Sequence, residues 1–252
     1  MTYDHPAQGQ IPQLLSLWKR VFGEYGDFWK NFLDTAFSPE RCLCLMENGE
    51  ILAALTWMDG ALENQKLAYV YAVMTHPAHR GRGLCRRLME AAHRHLQRTG
   101  YTAALLVPAD EGLRQMYRTM GYRNGTGFSE FTREAGETSV FLRPLTAAEF
   151  SLQRRNFLPE GGVRQEGSSL AFLARQEQFF LGEDFLLTAH VKGNVLHATE
   201  LLGNVTAAPG ILRTLGCQTG IFRTPGEERP FAMYHPLCPD ARMPRYLGFD
   251  FD

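Results

Sequence analysis

Apolar residues recur at helical spacing from Ile11 to Phe22, where Leu14, Leu15, Trp18, Val21 and Phe22 form one stripe. Phe28 to Phe37 predicts a second helix. Short apolar runs follow: Arg41 to Met46, Ile51 to Trp57 and Leu67 to Met74 predict three strands, the first two joined by an Asn48-Gly49 hairpin turn. Helical spacing returns with Leu84, Leu88, Ala91 and Ala92. Tyr101 to Val107 reads as a buried strand, broken by Pro108 to Gly112. Leu113, Met116, Tyr117 and Met120 then share a helical face that Gly121 caps.

The second half opens after a polar connection, Thr132 to Thr138. Thr146 and Glu149 form a capping box that starts a helix running toward Asn156, and Leu170 to Phe180 predicts another. Asp184 to His190 and Val195 to Leu202 read as a hairpin across Lys192-Gly193-Asn194. Thr206 caps a short helix ending at Gly216. Ile221 to Arg223 and Phe231 to Tyr234 predict a last hairpin around Pro225 to Glu228.

The densest chemistry lies in Val73 to Leu88, where a strand feeds a loop with two glycines among arginines and a helix starts at once. The first N–H groups of a helix lack internal partners and carry the positive end of its dipole, so such a turn is an anion site. Gly81 and Gly83 let a phosphate approach the backbone, and Arg80, Arg82 and Arg86 supply charged donors. A mononucleotide loop needs Lys-Ser/Thr after its glycines, and Leu84-Cys85 stand there instead. The three spaced glycines of a dinucleotide fold are missing too. The competing reading is a solvated basic turn before an amphipathic helix.

Arg80-x-x-Gly83 with Cys85 resembles motif A of the GCN5-related N-acetyltransferases (GNAT), in which this loop holds the acetyl-CoA pyrophosphate. Cys85 departs from the family's Gly or Ala. The stretch Tyr117-x-x-x-Gly121-Tyr122 resembles motif B, at the expected order and separation. The resemblance covers residues 1–133. It implies an α/β (mixed α+β) fold with a mostly antiparallel central sheet flanked by helices. It also implies acetyl-CoA as cosubstrate, bound through Val73, Met74, Thr75, Arg80, Gly81, Arg82, Gly83, Leu84, Cys85 and Arg86. Tyr117 matches the tyrosine that many members use as general acid, and a core aromatic is the alternative.

The resemblance leaves the general base open. Many members carry a glutamate on the fourth strand, where this chain has Tyr69 and Tyr71. Asp59 and Glu63 lie just upstream, and water can relay a proton. The aromatic, acidic tail Tyr246 to Asp252 offers a third route, since in some relatives the terminal carboxylate enters the cleft. A tail docked on its own domain is the competing reading. Asp27, Asp34, Asp59 and Glu63 would suit a cationic acceptor.

Residues 140–252 loosely echo the first half, but Leu201 to Val205 carries neither the arginine nor the paired glycines. A smaller α+β domain, a degenerate GNAT-like repeat, is expected there, with a sterol-carrier-like domain as the alternative. The leading function is acetyl transfer to a primary amine of a small molecule or a peptide N-terminus. A non-catalytic acyl-CoA sensor and an interaction protein with a vestigial cleft are the rivals.

Composition narrows the classes further. A formal charge of −1 over 252 residues gives no reason for a nucleic-acid partner. No apolar run approaches the roughly 18 residues of a membrane span, and no export signal opens the chain, so a cytoplasmic protein is expected. Five cysteines, an odd number, argue for free thiols. Cys42 and Cys44 point to one strand face, His93 and His95 diverge on a helix, and no metal site is expected.

Overall fold

The computed structural model describes residues 1–23 and 26–251. In chain order the first elements are β1 (Thr2–Asp4), α1 (Ile11–Phe22), α2 (Phe28–Thr35), β2 (Cys42–Glu47), β3 (Glu50–Leu62) and β4 (Gln65–Thr75). Next come α3 (Leu84–Arg98), β5 (Ala103–Leu106), α4 (Glu111–Arg118), β6 (Arg123–Asn124), β7 (Gly127–Glu134) and β8 (Arg143–Leu145). Then follow α5 (Ala147–Phe157), β9 (Arg164–Gln165), α6 (Ser168–Leu173), β10 (Gln178–Leu181), β11 (Phe185–Lys192) and β12 (Val195–Gly203). The last are α7 (Ala208–Leu215), β13 (Thr219–Pro225), β14 (Arg229–Pro230) and β15 (Met233–Pro236).

The chain divides into two compact units. Unit 1 holds Met1–Gly60, Asn64–Arg123 and Tyr234–Arg242; unit 2 holds Ala61–Glu63, Asn124–Met233 and Met243–Asp252. The sheet of unit 1 runs β1-β2-β3-β4-β5-β15-β6, and that of unit 2 runs β14-β7-β13-β12-β11-β10-β8. The mixed α/β fold expected for the first half is what unit 1 shows. Its strands β1 to β3 pair antiparallel, whereas β4 and β5 run parallel.

Local chemistry explains the elements of unit 1. In α1 the buried stripe is Leu14, Leu17 and Trp18, so Leu17 takes the place expected for Leu15. Trp18 packs on Trp29 and Phe32 with ring centres 3.8 and 5.0 Å apart. Truncating so buried a ring costs about 3–5 kcal/mol. Asn48 and Gly49 both adopt positive φ, as the two-residue hairpin between β2 and β3 requires. Cys42 and Cys44 lie on one face with sulfurs 3.9 Å apart, and both are free.

Several expected boundaries move. Thr132 to Glu134 lie inside β7, which pairs with β13 from Phe128 to Glu134, so the polar run belongs to a strand rather than a connection. The helix expected to reach Phe180 stops at Leu173, where the N–H groups of Gln176 and Glu177 close back on the Leu173 carbonyl. The aromatic pair Phe179-Phe180 then suits strand β10, with Phe179 stacked on Phe150 at 4.3 Å. Asn204, not Thr206, caps the turn before α7, because its Oδ1 accepts from the Thr206 N–H at 2.9 Å.

The last hairpin is also replaced. β13 pairs with β12 and β7, β14 pairs with β7, and β15 joins the sheet of unit 1. Ile221 to Arg223 thus pair with β7, whereas Met233 and Tyr234 of the other expected strand lie in β15, in a different sheet. The capping box of α5, the Gly193 turn and the left-handed Gly216 cap of α7 are found as expected.

Unit 2 has one dry face. Leu187, Ala189, Leu196, Ala198, Leu201 and Phe222 pack there with Ile211 and Leu212 of α7. On its other face, the Arg154 guanidinium and the Glu200 carboxylate form a buried two-point pair at 2.7 Å in both contacts. The Tyr246 hydroxyl donates to Glu200 at 2.8 Å, and Gln165 exchanges two hydrogen bonds with the backbone of Phe249. Residues 246–251 are thus docked within unit 2, and Asp252 lies outside the described residues.

Candidate active site

The anion loop grows out of the end of β4. Parallel pairing with β5 covers only Leu67 to Tyr69 against Ala103 to Leu105, while β4 continues to Thr75. The ladder thus ends before Val73, Met74 and Thr75, which were expected to meet an acyl arm. Met74 is buried and faces the core; Val73 and Thr75 are half-buried. Ala72 sits at φ +50°, a left-handed value unusual for alanine, so β4 kinks just before this segment. An alanine gives no signal of such a kink in the sequence.

Pro77–His79 forms a 3-10 turn, with the His76 side chain accepting from the Ala78 N–H at 3.2 Å. Arg80, Gly81, Arg82 and Gly83 are exposed. Gly81 and Gly83 have φ of +75° and +71°, and a Cβ at either would meet nothing within 4 Å. Backbone conformation, together with open space in front of the loop, explains both glycines. Gly83 is the N-cap of α3 and offers no side-chain acceptor to the first-turn N–H groups. Leu84 is buried and anchors the helix.

The arginines divide by role. Arg80 is exposed, and Arg82 lies 2.7 Å from the His79 ring nitrogen. Arg86 donates to the Thr119 carbonyl at 2.8 Å and to its hydroxyl at 2.7 Å, where the end of α4 concentrates negative charge. Two cations therefore remain on the loop itself, and Arg86 ties α3 to α4.

Tyr117 is 6% exposed, against Tyr122 at 5.7 Å between ring centres. Burial, then the nearby Cys85 thiol, pushes its phenol up, so it keeps its proton through neutral pH. That is the form a proton donor needs. Cys85 is half-buried, and burial pushes its thiol up to about 11 against the pull of Arg86, so it stays protonated and weakly nucleophilic. The Tyr122 hydroxyl meets the His93 Nε2 at 2.9 Å, and His93 stacks on His235 at 4.1 Å. His95 instead meets His5 at 5.0 Å, so His93 and His95 do diverge. Gly121 closes α4 at φ +88°, and a Cβ there would also meet His235 at 3.0 Å.

The carboxylates near this sheet are otherwise engaged. Asp59 pairs with Arg41 at 3.1 Å and accepts from the Tyr101 hydroxyl, which also accepts from the Trp57 indole at 3.1 Å. Glu63 occupies the β3–β4 turn at φ +52° and falls in unit 2, where its carbonyl accepts from Arg164. Tyr69 and Tyr71 are buried in β4, and Tyr71 packs on Phe32 at 5.4 Å. No group of three or more His, Cys, Asp or Glu among the described residues is placed to hold a metal ion. No helix among them is long and apolar enough to cross a membrane.

Residues 2–125 match the family model described as an acetyltransferase (GNAT) domain. The N-terminal half of the chain belongs to the GNAT family. Acyl transfer is the general chemistry of that family. A search of the curated proteins gives no match. Among solved structures, a GCN5-related N-acetyltransferase from Kribbella flavida is 18% identical at a TM-score of 0.71, over 92% of this chain and 70% of that one. One from Anabaena variabilis ATCC 29413 is 14% identical at a TM-score of 0.73, over 94% and 73%. A tandem GNAT protein from the clavulanic acid biosynthesis pathway is 11% identical at a TM-score of 0.57, over 95% and 99%. At these identities the likeness is one of fold.

Proposed function

We propose that the chain transfers acetyl from acetyl-CoA directly to a primary amine of a small molecule or a peptide N-terminus, using the GNAT half. The observation that carries this reading is the α3 N-terminus: no side chain caps it, Gly81 and Gly83 hold it open, and Arg80 and Arg82 flank it. A pyrophosphate fits a set of free N–H groups beside two guanidinium groups. The β4 backbone at Val73, Met74 and Thr75, past the end of the β5 ladder, would hold the pantetheine arm. Acetyl-CoA supplies the activated thioester. Tyr117 would give the departing sulfur its proton, and protonated Cys85 argues against an acyl-cysteine route.

We further infer that the acetyltransferase domain, expected over residues 1–133, is unit 1 and that the degenerate GNAT-like domain, expected over residues 140–252, is unit 2. The parallel pair β12–β13, with α7 between them in sequence, parallels β4–α3–β5, and the match to a tandem GNAT protein over 95% of the chain supports the reading. Asn204 fills the corresponding turn with its own side-chain cap.

The test is thiol release from acetyl-CoA over an amine panel, comparing the wild type with Tyr117→Phe. Turnover with at least one amine, falling about 10²- to 10⁴-fold in the variant, supports the reading. Binding without turnover would favour an acyl-CoA sensor, which the engaged Asp59 carboxylate already makes the specific rival.

A further inference from the structure

The face of the unit 2 sheet opposite α7 is only partly covered. Beside the α5 contacts it leaves a half-open cavity of about 560 Å³. Its polar wall is made by Glu130 of β7, Glu177 before β10, His190 of β11, His197 of β12, Arg223 of β13 and Asp250. A sheet face of this size is expected to carry apolar side chains if it only served packing. Here three carboxylates face one guanidinium.

That guanidinium is already occupied. Arg223 lies 3.8 Å from Glu130 and 3.7 Å from Asp250, and its planar group covers the Phe128 ring at 4.8 Å. Arg229 takes the other Glu130 oxygen at 2.8 Å. Glu177 is less well served. Its side chain is 6% exposed, its Oε1 meets the His190 Nδ1 at 2.9 Å, and its buried Oε2 has no hydrogen-bond partner among the described residues. A buried carboxylate oxygen without a donor is costly, and the cavity it lines is where a donor can come from. Glu177 and Asp250 also line a second, smaller space together with Thr199, so the two carboxylates border the same region.

We propose that this cavity binds a small organic cation carrying a primary ammonium group, held by the Glu177 and Asp250 carboxylates and walled by the stacked His190–His197 pair. The histidine rings are parallel within 6° at 5.1 Å, a flat surface against which an aliphatic stem can lie. An ammonium brings three donors, one of them to the Glu177 Oε2 that has none among the described residues. An anion would meet three carboxylates, and the one guanidinium on the wall, Arg223, is already engaged. A metal ion lacks a group of three ligands among the described residues.

The experiment is a titration of putrescine into the wild-type protein, both units present, followed by calorimetry and by the histidine ring signals in NMR, with succinate as the anionic counterpart. The proposal expects saturable putrescine binding with Kd below about 1 mM, shifts at His190 and His197, and no response to succinate. Glu177→Gln, checked for an unchanged thermal unfolding profile, should weaken binding at least 10-fold, and Asp250→Asn should do the same if the first variant does not fold. Absent saturation, unmoved histidine signals, undiminished binding in the folded variant, or succinate binding in place of putrescine would each overturn it.

Discussion

At the scale of single residues, Gly83 and Tyr117 illustrate what a sequence can and cannot carry. The glycine was legible because a left-handed turn feeding a helix has few other solutions, and its φ of +71° agrees. The tyrosine was legible as a position, but its burial and its nearness to the Cys85 thiol depend on packing that no spacing encodes. The same holds for Arg86, whose spacing suggested an anion ligand and whose guanidinium instead reaches Thr119. Gly248 gives the sharpest residue-level prediction. A Cβ there would lie 2.0 Å from Glu200 Oε1 and 2.3 Å from Arg154 Nη2. Gly248→Ala should therefore break the buried ion pair and cost about 3–5 kcal/mol in denaturant unfolding. A loss below about 1 kcal/mol would show that the pair has room to yield.

Among the elements, β4 matters most, because its pairing with β5 ends at Tyr69, ahead of the segment proposed to hold an acyl arm. The strand itself was evident from its apolar run; its kink at Ala72 was not. Ala72→Gly should leave stability unchanged or raise it by up to about 1 kcal/mol, since glycine relieves a positive φ. The same change at Ala53, buried in β3, should cost about 1 kcal/mol or more. Equal losses at both sites in thermal melts would remove the kink from the explanation. Elements with a strong local signal, such as the α5 capping box and the Gly193 hairpin, stood where the pattern put them. β10 and β15 were misplaced because strand pairing is decided by partners far away in sequence.

Across the whole molecule, the chain leaves unit 1 after Arg123 and returns to it at Tyr234. The first crossing is marked by Asn124-Gly125-Thr126-Gly127, but the polar run Thr132 to Thr138 gave the stronger linker signal, so the boundary expected at residues 133–140 falls beyond β7. The return at Tyr234 has an apolar run and no such mark. The returning segment brings His235 onto His93, and burial, then His235, lowers the His93 ring to about 3 from 6.5. The unfolded chain therefore binds the extra proton between about pH 6.5 and pH 3. This contribution to stability is complete above the upper value and is lost as pH falls toward the lower one. The apparent Tm should drop as pH goes from 6.5 to 4, with a shallower drop in His93→Gln; parallel curves would assign the acid sensitivity elsewhere. The most direct test of the acyl-CoA site is calorimetric titration of acetyl-CoA into the wild type and into Arg80→Glu, an exposed charge reversal that leaves the core untouched. Micromolar binding by the wild type, weakened at least 10-fold in a variant of unchanged Tm, is the predicted result. Equal affinity in both proteins, or none in the wild type, would contradict the assignment of the α3 N-terminus as the pyrophosphate site.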